Sequence, residues 1–185
     1  MTVLPDAFDV RLAQGGDREA FARLVGRHAR RVHDLARRML RDPHEAEDVA
    51  QQAFFNAWRA LERFDLQRPF RHWLLRITSN LCRNRLAARG RRKELRPRGG
   101  DEAVPDVEDP HPPAPRSAPG GPGAVQQAIE RLPQRYRLPV ILHYVQGLPL
   151  QAVAEITERP LATVKTHLHR GRAHHGHAAI HATEI

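Results

Sequence analysis

A segment rich in proline and glycine divides this chain into two parts. Residues 94–123 hold eight of the fifteen prolines and five of the twelve glycines in the 185-residue sequence, with few large apolar side chains. Such a segment cannot bury enough apolar surface to form a packed core, so its composition predicts a disordered linker. At about 3.1 Å per residue, an extended proline-rich chain of this length would reach up to roughly 90 Å. We therefore expect two small domains, residues 1–93 and residues 124–185, that are free to lie far apart.

The N-terminal part predicts three long helices. In each, apolar side chains recur at the i, i+3, i+4 spacing of a helix with one buried face. Asp17 can cap the first helix, and "DPHE" at 42–45 gives the second a cap, a proline at its first position and a glutamate at its third. The third runs from residue 70 to about residue 89, where Gly90 can end it. No window shows sustained strand alternation, so the sequence predicts an all-α fold.

The C-terminal part predicts shorter helices. Their expected bounds are Ala124 to Leu132, then Gln134 to Gln146 with Gly147 as the stop, then Leu150 to Thr157, and a last helix from Leu161. The last two are joined by about three residues, and Ala154 is small where they would cross. This pattern fits a helix-turn-helix, the DNA-binding pair in which the second helix enters the major groove. A plain helical hairpin would have a similar pattern and remains an alternative.

Positive charge indicates a polyanionic partner. The formal net charge is +9, and the segment from Leu66 to Lys93 contains nine basic residues and no acidic one. A segment of one sign attracts phosphates.

Aromatic side chains lie among these arginines. Phe64, Phe70 and Trp73 surround a polar loop, and the polar residues Asn80, Arg83, Asn84 and Arg85 follow. Unpaired bases bind by stacking on aromatic faces, at about 1–3 kcal/mol per base, while amides can pair with base edges. The arrangement therefore suits single-stranded DNA. Phe70 and Trp73 also lie on the apolar stripe of their helix, so a core role is the alternative.

The exposed face of the second helix has no catalytic geometry. It presents Glu47, Asp48, Gln51, Gln52, Phe55 and Asn56. Neighbouring carboxylates at 47 and 48 point about 100° apart on a helix and cannot converge. The single cysteine, Cys82, excludes an internal disulfide, and no Ser/His/Asp or Cys/His set has supporting context. We expect no enzymatic activity and no cofactor, and interpret this face as a protein-docking surface, with plain solvation as the alternative.

The C-terminal tail is rich in histidine. Half of the twelve histidines lie between residues 167 and 181. A metal site would need three or four of them to converge, and Gly171 and Gly176 weaken the helix that would bring them together. We therefore expect no metal site, and a histidine-rich metal-dependent protein stays a minor alternative.

No segment predicts membrane insertion or export. No apolar run approaches the roughly 20 residues of a membrane span, and acidic residues interrupt the first thirty positions. We expect a cytoplasmic protein.

Three segments together resemble a known family. Residues 46–65 ("AEDVAQQAFFNAWRALERFD"), 70–92 ("FRHWLLRITSNLCRNRLAARGRR") and 128–173 are similar to bacterial sigma factors of the extracytoplasmic-function (ECF) group, small members of the sigma-70 family. The resemblance implies a promoter-specificity subunit that binds RNA polymerase core, recognises the minus-35 and minus-ten promoter elements and melts promoter DNA. A simple repressor or activator that uses only the C-terminal helices is the alternative within DNA binding. An anti-sigma protein is a further expected partner, because family members commonly have one.

The resemblance also implies three sets of site residues. Those matching the core-polymerase-binding segment are Glu47, Asp48, Gln51, Phe54 and Phe55. Those matching the minus-ten segment are Phe64, Arg71, Trp73, Arg76, Asn80, Arg83 and Asn84. Those on the helix expected to read the minus-35 element are Thr163, Lys165, Thr166, His167 and Arg170.

Several residues depart from the family pattern. Glu158 stands where a glycine or small polar residue is usual, Thr157 where an apolar residue is usual, and Ala162 where a glycine is usual. A side chain at a left-handed turn position costs about 1 kcal/mol, so the turn is expected to be less stable than usual. His167 replaces an arginine and loses the two-pronged guanine contact. Gln52 replaces a common glutamate, which weakens one expected charge contact with the polymerase.

Overall fold

The computed structural model describes residues 6–94 and 124–173. All regular structure in these ranges is helical, which confirms the all-α prediction. The elements are α1 Ala7–Gln14, α2 Arg18–Leu40, α3 Pro43–Ala60, a 3-10 turn Leu61–Arg63, α4 Phe70–Glu94, α5 Ala124–Arg131, α6 Gln134–Val140, a π-helical turn Ile141–Val145, α7 Leu150–Thr157 and α8 Leu161–Ala173.

Side-chain caps begin the two long N-terminal helices at the predicted positions. Asp17 accepts hydrogen bonds from the main-chain N–H groups of Glu19 (2.9 Å) and Ala20 (3.0 Å). Asp42 accepts one from Glu45 (3.0 Å), and Pro43 stands at the first position of α3. Each such cap contributes about 1 kcal/mol to helix stability.

The predicted end of α4 at Gly90 is wrong. The helix continues through this glycine to Glu94. Gly90 is exposed and a side chain there would meet nothing within 4 Å, so its cost to the helix is only the entropy of a flexible backbone.

The predicted helix from Gln134 to Gln146 changes its winding midway. It contains Pro139, which lacks a main-chain N–H, and α6 gives way to the π-helical turn after Val140. The N–H of Gln146 bonds to the carbonyl of Ile141 (2.9 Å), five residues back. Gly147 follows with φ +65°, the left-handed conformation that suits the predicted stop.

Gly171 has a packing role that the sequence did not indicate. It is buried, and a Cβ built on it would lie 2.9 Å from Cγ2 of Val140. The absence of a side chain therefore lets α8 pass close to α6. Together with α7, these helices form the C-terminal unit.

The two halves of the chain are in contact. One apolar cluster joins Met39, Leu40 and Leu75 of the N-terminal bundle to Val153 and Ile156 of α7. The linker prediction falls on residues 94–123, almost all of them outside the described residues, so the predicted reach and the predicted domain bounds stay predictions.

A buried arginine reinforces this contact. The guanidinium of Arg137 donates to the carbonyl oxygens of Met39 (3.4 Å) and Leu132 (2.9 Å). These carbonyls lie at the C-terminal ends of α2 and α5, where the helix dipole favours a cation. Burial lowers the pKa of Arg137 to about 10, and the side chain stays charged at neutral pH.

Candidate DNA and protein interfaces

An aromatic cluster forms at the beginning of α4. The ring centroids of Phe64 and Trp73 are 4.7 Å apart, and that of Phe70 lies 5.8 Å from Phe64 and 5.7 Å from Trp73. Phe64 is 7% exposed and Phe70 is 2% exposed, whereas Trp73 is half-buried. The structure thus places Phe64 and Phe70 in the core, as the alternative interpretation of Phe70 expected. Trp73 alone of the three keeps part of its ring accessible to a base.

The loop before this cluster is held by a residue that the sequence did not single out. Gln14 of α1 donates from its amide to the carbonyl oxygens of Leu61 (3.0 Å) and Phe64 (2.9 Å). A lone glutamine at a helix end carries no recognisable signal, and only the fold brings it near residues 47 and 50 positions away.

The polar side chains predicted to face DNA continue along α4. The guanidinium of Arg83 donates to the amide oxygen of Asn80, which holds this amide in one orientation, and Asn84 is exposed. Arg71 and Arg76 both reach the C-terminal unit, where Arg71 donates to the main-chain oxygen of Gln146 and Arg76 pairs with Glu158.

Four of the five residues predicted to bind the polymerase are exposed on the docking face of α3. Glu47, Asp48 and Gln51 are exposed, and Phe55 is 55% exposed. Phe54 is half-buried and packs against the N-terminal core.

A groove of about 780 Å³ separates this face from α4. Its lining includes Asp48, Gln51 and Phe55 on one side and Leu81, Asn84 and Arg85 on the other. Asp48 and Arg85 face each other across it at 3.6 Å. The groove is therefore a shaped surface with a mixed polar and apolar lining, which a helix of a partner protein could enter.

The last two helices form the predicted helix-turn-helix. Glu158 has φ 56° at the turn, the left-handed conformation expected there. Thr157 is 2% exposed and its hydroxyl donates to the carbonyl of Val153 (2.7 Å), so the polar atom at this usually apolar position is satisfied. The turn therefore accommodates both departures from the family pattern.

The residues predicted to read the major groove lie on α8 in two environments. Lys165, Thr166 and Arg170 are exposed, whereas Thr163 is half-buried. His167 is also half-buried, with its ring edge-on to Tyr136 at a centroid distance of 5.4 Å. Burial and the nearby arginines lower the pKa of His167, so its imidazole is neutral at pH 7.

Comparison with known proteins settles the family. Residues 24–92 match the family described as Sigma-70 region 2, and residues 123–174 match Sigma-70, region 4. The ECF RNA polymerase sigma factor SigW of Bacillus subtilis is 34% identical over 174 residues, covering 88% of this chain and 90% of that protein. This chain belongs to the ECF group of the sigma-70 family. The RNA polymerase sigma-H factor of Pseudomonas aeruginosa is also 34% identical, over 88% of each chain.

Solved structures agree with this assignment. CnrH, in a complex with the cytosolic domain of CnrY, superposes with a TM-score of 0.66 at 26% identity, over 91% of this chain and 93% of CnrH. RpoE of Bartonella quintana shares the fold, with a TM-score of 0.67 at 21% identity.

As an ECF sigma factor, the protein is a promoter-specificity subunit of bacterial RNA polymerase, with core enzyme and promoter DNA as its partners. The region 2 match covers α3 and α4, with the docking face and the arginine-rich helix. The region 4 match covers the helix-turn-helix. Among the described residues, no helix is both long and apolar enough to cross a membrane. The histidine-rich tail from residue 174 onward lies outside the described residues, and the expected absence of a metal site there stays a prediction.

Proposed function

We propose that the three exposed surfaces divide the work of this sigma factor. The α3 face and its groove bind the polymerase, α4 holds the separated minus-ten strand, and α8 reads the minus-35 element in the major groove. The observation that supports this division most strongly is the position of Asp48, which is exposed at the mouth of the groove and paired only loosely with Arg85.

For polymerase binding, the proposal selects the exposed members of the predicted set. Glu47, Asp48 and Gln51 supply carboxylates and an amide, and Phe55 supplies an apolar anchor of the kind that dominates protein interfaces. Phe54 packs against the N-terminal core and so holds α3 in position. A basic helix on the polymerase would complement this acidic edge.

For the minus-ten strand, the half-buried Trp73 offers the stacking surface, and Asn80 and Asn84 offer hydrogen bonds to base edges. Phe64 acts by holding Trp73 in place, because its own ring is covered. Arg71, Arg76 and Arg83 supply the cations for the strand's phosphates.

For the minus-35 element, Lys165, Thr166 and Arg170 are the exposed side chains that reach DNA. A neutral His167 contributes one hydrogen bond to a base and little to phosphate binding, because it carries no charge at pH 7. Thr163 lies at the edge of the same surface.

The remaining assignments follow from the family. We propose that the chain is not itself an enzyme and acts in the cytoplasm, where the polymerase works. CnrH is seen in a complex with the cytosolic domain of CnrY, and RpoE of Bartonella quintana with the anti-sigma factor NepR. We propose that this chain likewise has an anti-sigma partner.

A charge reversal tests the docking role. Asp48→Arg removes an exposed carboxylate and places a second positive charge across the groove from Arg85. We therefore expect association with core polymerase to weaken at least tenfold. Helix content should not change, because the substitution does not alter the core. The measurement is co-elution with purified core enzyme at low salt, with circular dichroism alongside. Glu62→Arg, at an exposed position outside the groove, is the matched control and should co-elute normally. Equal co-elution of the two variants would reject the docking role of this face.

A further inference from the structure

The C-terminal unit covers part of the arginine-rich side of the N-terminal bundle. Glu155 of α7 lies 3.8 Å from Arg68, in the loop just before α4. Glu158, at the helix-turn-helix turn, pairs with Arg76, and Arg71 donates to the main-chain oxygen of Gln146. Arg71 and Arg76 of the proposed minus-ten surface, and Arg68 beside it, therefore already have oxygen partners from the other half of the chain.

The ion pairs of Glu155 and Glu158, called the latch below, are weak enough to form and break reversibly. The side chains of Arg76 and Glu158 are 42% and 51% exposed, and those of Arg68 and Glu155 are more exposed still. Ion pairs so accessible to water are weak and are screened by salt. Beside them, the remaining attraction comes from the buried apolar cluster that joins Met39, Leu40 and Leu75 to Val153 and Ile156, and from the hydrogen bond of Arg137 to the carbonyl of Met39.

Two of these three partners, the carboxylates of Glu155 and Glu158, are groups that the phosphates of a DNA strand would replace. A phosphate and a glutamate carboxylate present the same chemistry to a guanidinium, an anionic oxygen that accepts N–H bonds. The minus-ten strand and the carboxylates of Glu155 and Glu158 cannot occupy the same arginines at once. The exposed residues of α8, by contrast, stay uncovered in this arrangement.

We propose that Glu155 and Glu158 act as an intramolecular substitute for DNA phosphates, so that the free sigma factor is closed toward single-stranded DNA while its minus-35 helix stays open. This inference rests on the proposed role of α4. When only a fraction of molecules is open, the apparent dissociation constant for the strand rises by the inverse of that fraction. The closed form therefore suppresses binding of unpaired DNA by the free subunit.

The test compares the full chain with the variant Glu155→Gln/Glu158→Gln. The matched control, Glu19→Gln/Asp34→Asn, removes two negative charges from α2 and so corrects for the change in net charge. The probe is a fluorescein-labelled 12-nucleotide single strand of randomised sequence, followed by anisotropy. Relative to the control, we expect the latch variant to bind about three- to tenfold more tightly at low salt, with the difference shrinking at high salt.

A distance measurement shows whether the gain arises from opening. Fluorophores on cysteines introduced at the exposed positions Arg11 and His169 report the separation of the two halves. The native Cys82 reacts poorly with the label, because it is buried and burial raises its pKa to about 12. The mean separation should increase in the latch variant and not in the control. Equal strand affinity of latch variant and control, or tighter binding at an unchanged separation, would overturn the proposal. Loss of transcription with core enzyme, with opening intact, would instead count against the proposed function.

Discussion

At the scale of single residues, burial separates the side chains that can only support the proposed DNA binding from those that can contact DNA. Phe64 and Phe70 are covered, and Trp73 keeps an accessible edge. Asn80 is held by Arg83, and Gln14 fixes the loop that precedes the cluster. The part of α4 that we propose to face DNA therefore offers one aromatic ring, two amides and several cations.

Two substitutions should affect promoter melting more than duplex binding. Asn80→Ala removes an oriented amide, and Trp73→Leu keeps apolar volume while removing the stacking face, at about 1–3 kcal/mol per stacked base. We expect permanganate reactivity of the minus-ten region to fall about tenfold or more in holoenzyme complexes, with gel-shift affinity for the duplex promoter nearly unchanged. Lys165→Ala is the converse control, and should weaken duplex binding first. Parallel losses in both assays would count against a melting role.

At the scale of helices, helix-terminus residues and apolar spacing were sufficient to place the long N-terminal helices and the C-terminal helices, whereas α1 was not predicted. Asp17, Asp42 and Gly147 mark ends that the structure confirms, because a cap or a left-handed glycine acts on neighbouring atoms. Gly90 gave a wrong helix end, because a glycine ends a helix only where the chain must turn and α4 continues through it to Glu94. The role of Gly171 and the inward direction of Phe64 depend on contacts between distant segments, which local patterns do not contain.

The two glycines give a paired prediction. Gly171→Ala would force Cβ to within 2.9 Å of a stiff, buried valine, and such overpacking costs about 1–3 kcal/mol against a helix-propensity gain of about 1. Gly90→Ala gains the same helix propensity, and its added Cβ has no neighbouring atom within 4 Å. We expect urea unfolding to show a destabilised Gly171→Ala and a Gly90→Ala stabilised by about 1 kcal/mol. A Gly171→Ala protein as stable as wild type would show that the close approach of α8 and α6 is not needed.

Helix α1 should loosen in acid. Arg27 lies 2.5 Å from Asp6 and 2.8 Å from Asp9, and His28 lies 2.8 Å from Asp6. Burial alone would raise the pKa of Asp6, but the bonds from His28 and Arg27 outweigh it. For Asp9, the hydrogen bond from Arg27 has the largest effect and lowers the pKa. Both carboxyl pKa values therefore lie below the usual 3.8. The stability they contribute is complete well above pH 3.8 and is lost as the pH falls through the lower folded-state pKa values.

The measurement is the urea midpoint as a function of pH. Asp6→Asn/Asp9→Asn should lower the free energy of unfolding by about 2 kcal/mol at pH 7 and flatten its decline in acid. Glu62→Gln, which removes an exposed carboxylate, should keep the wild-type profile. The same acid decline in wild type and the double variant would assign it to other groups.

At the scale of the whole molecule, the proposed function assigns polymerase docking to the groove beside α3, strand binding to the cationic helix α4 and duplex reading to α8. The first two share the bundle of region 2, and the third belongs to region 4. The structure shows the two regions packed together through α4 and α7, an arrangement that the linker composition did not indicate, because it depends on the surfaces of both halves. Binding core enzyme and reading a promoter require these surfaces to act in one complex.

Run-off transcription tests this account most directly. Purified full-length chain and bacterial core polymerase are combined, with no other factor, on fragments of the genome that encodes the chain. The account predicts discrete transcripts that begin at the same distance downstream of a shared minus-ten and minus-35 pair, and their loss with Asp48→Arg. Tight duplex binding by the chain, with no discrete transcript from any fragment, would contradict it.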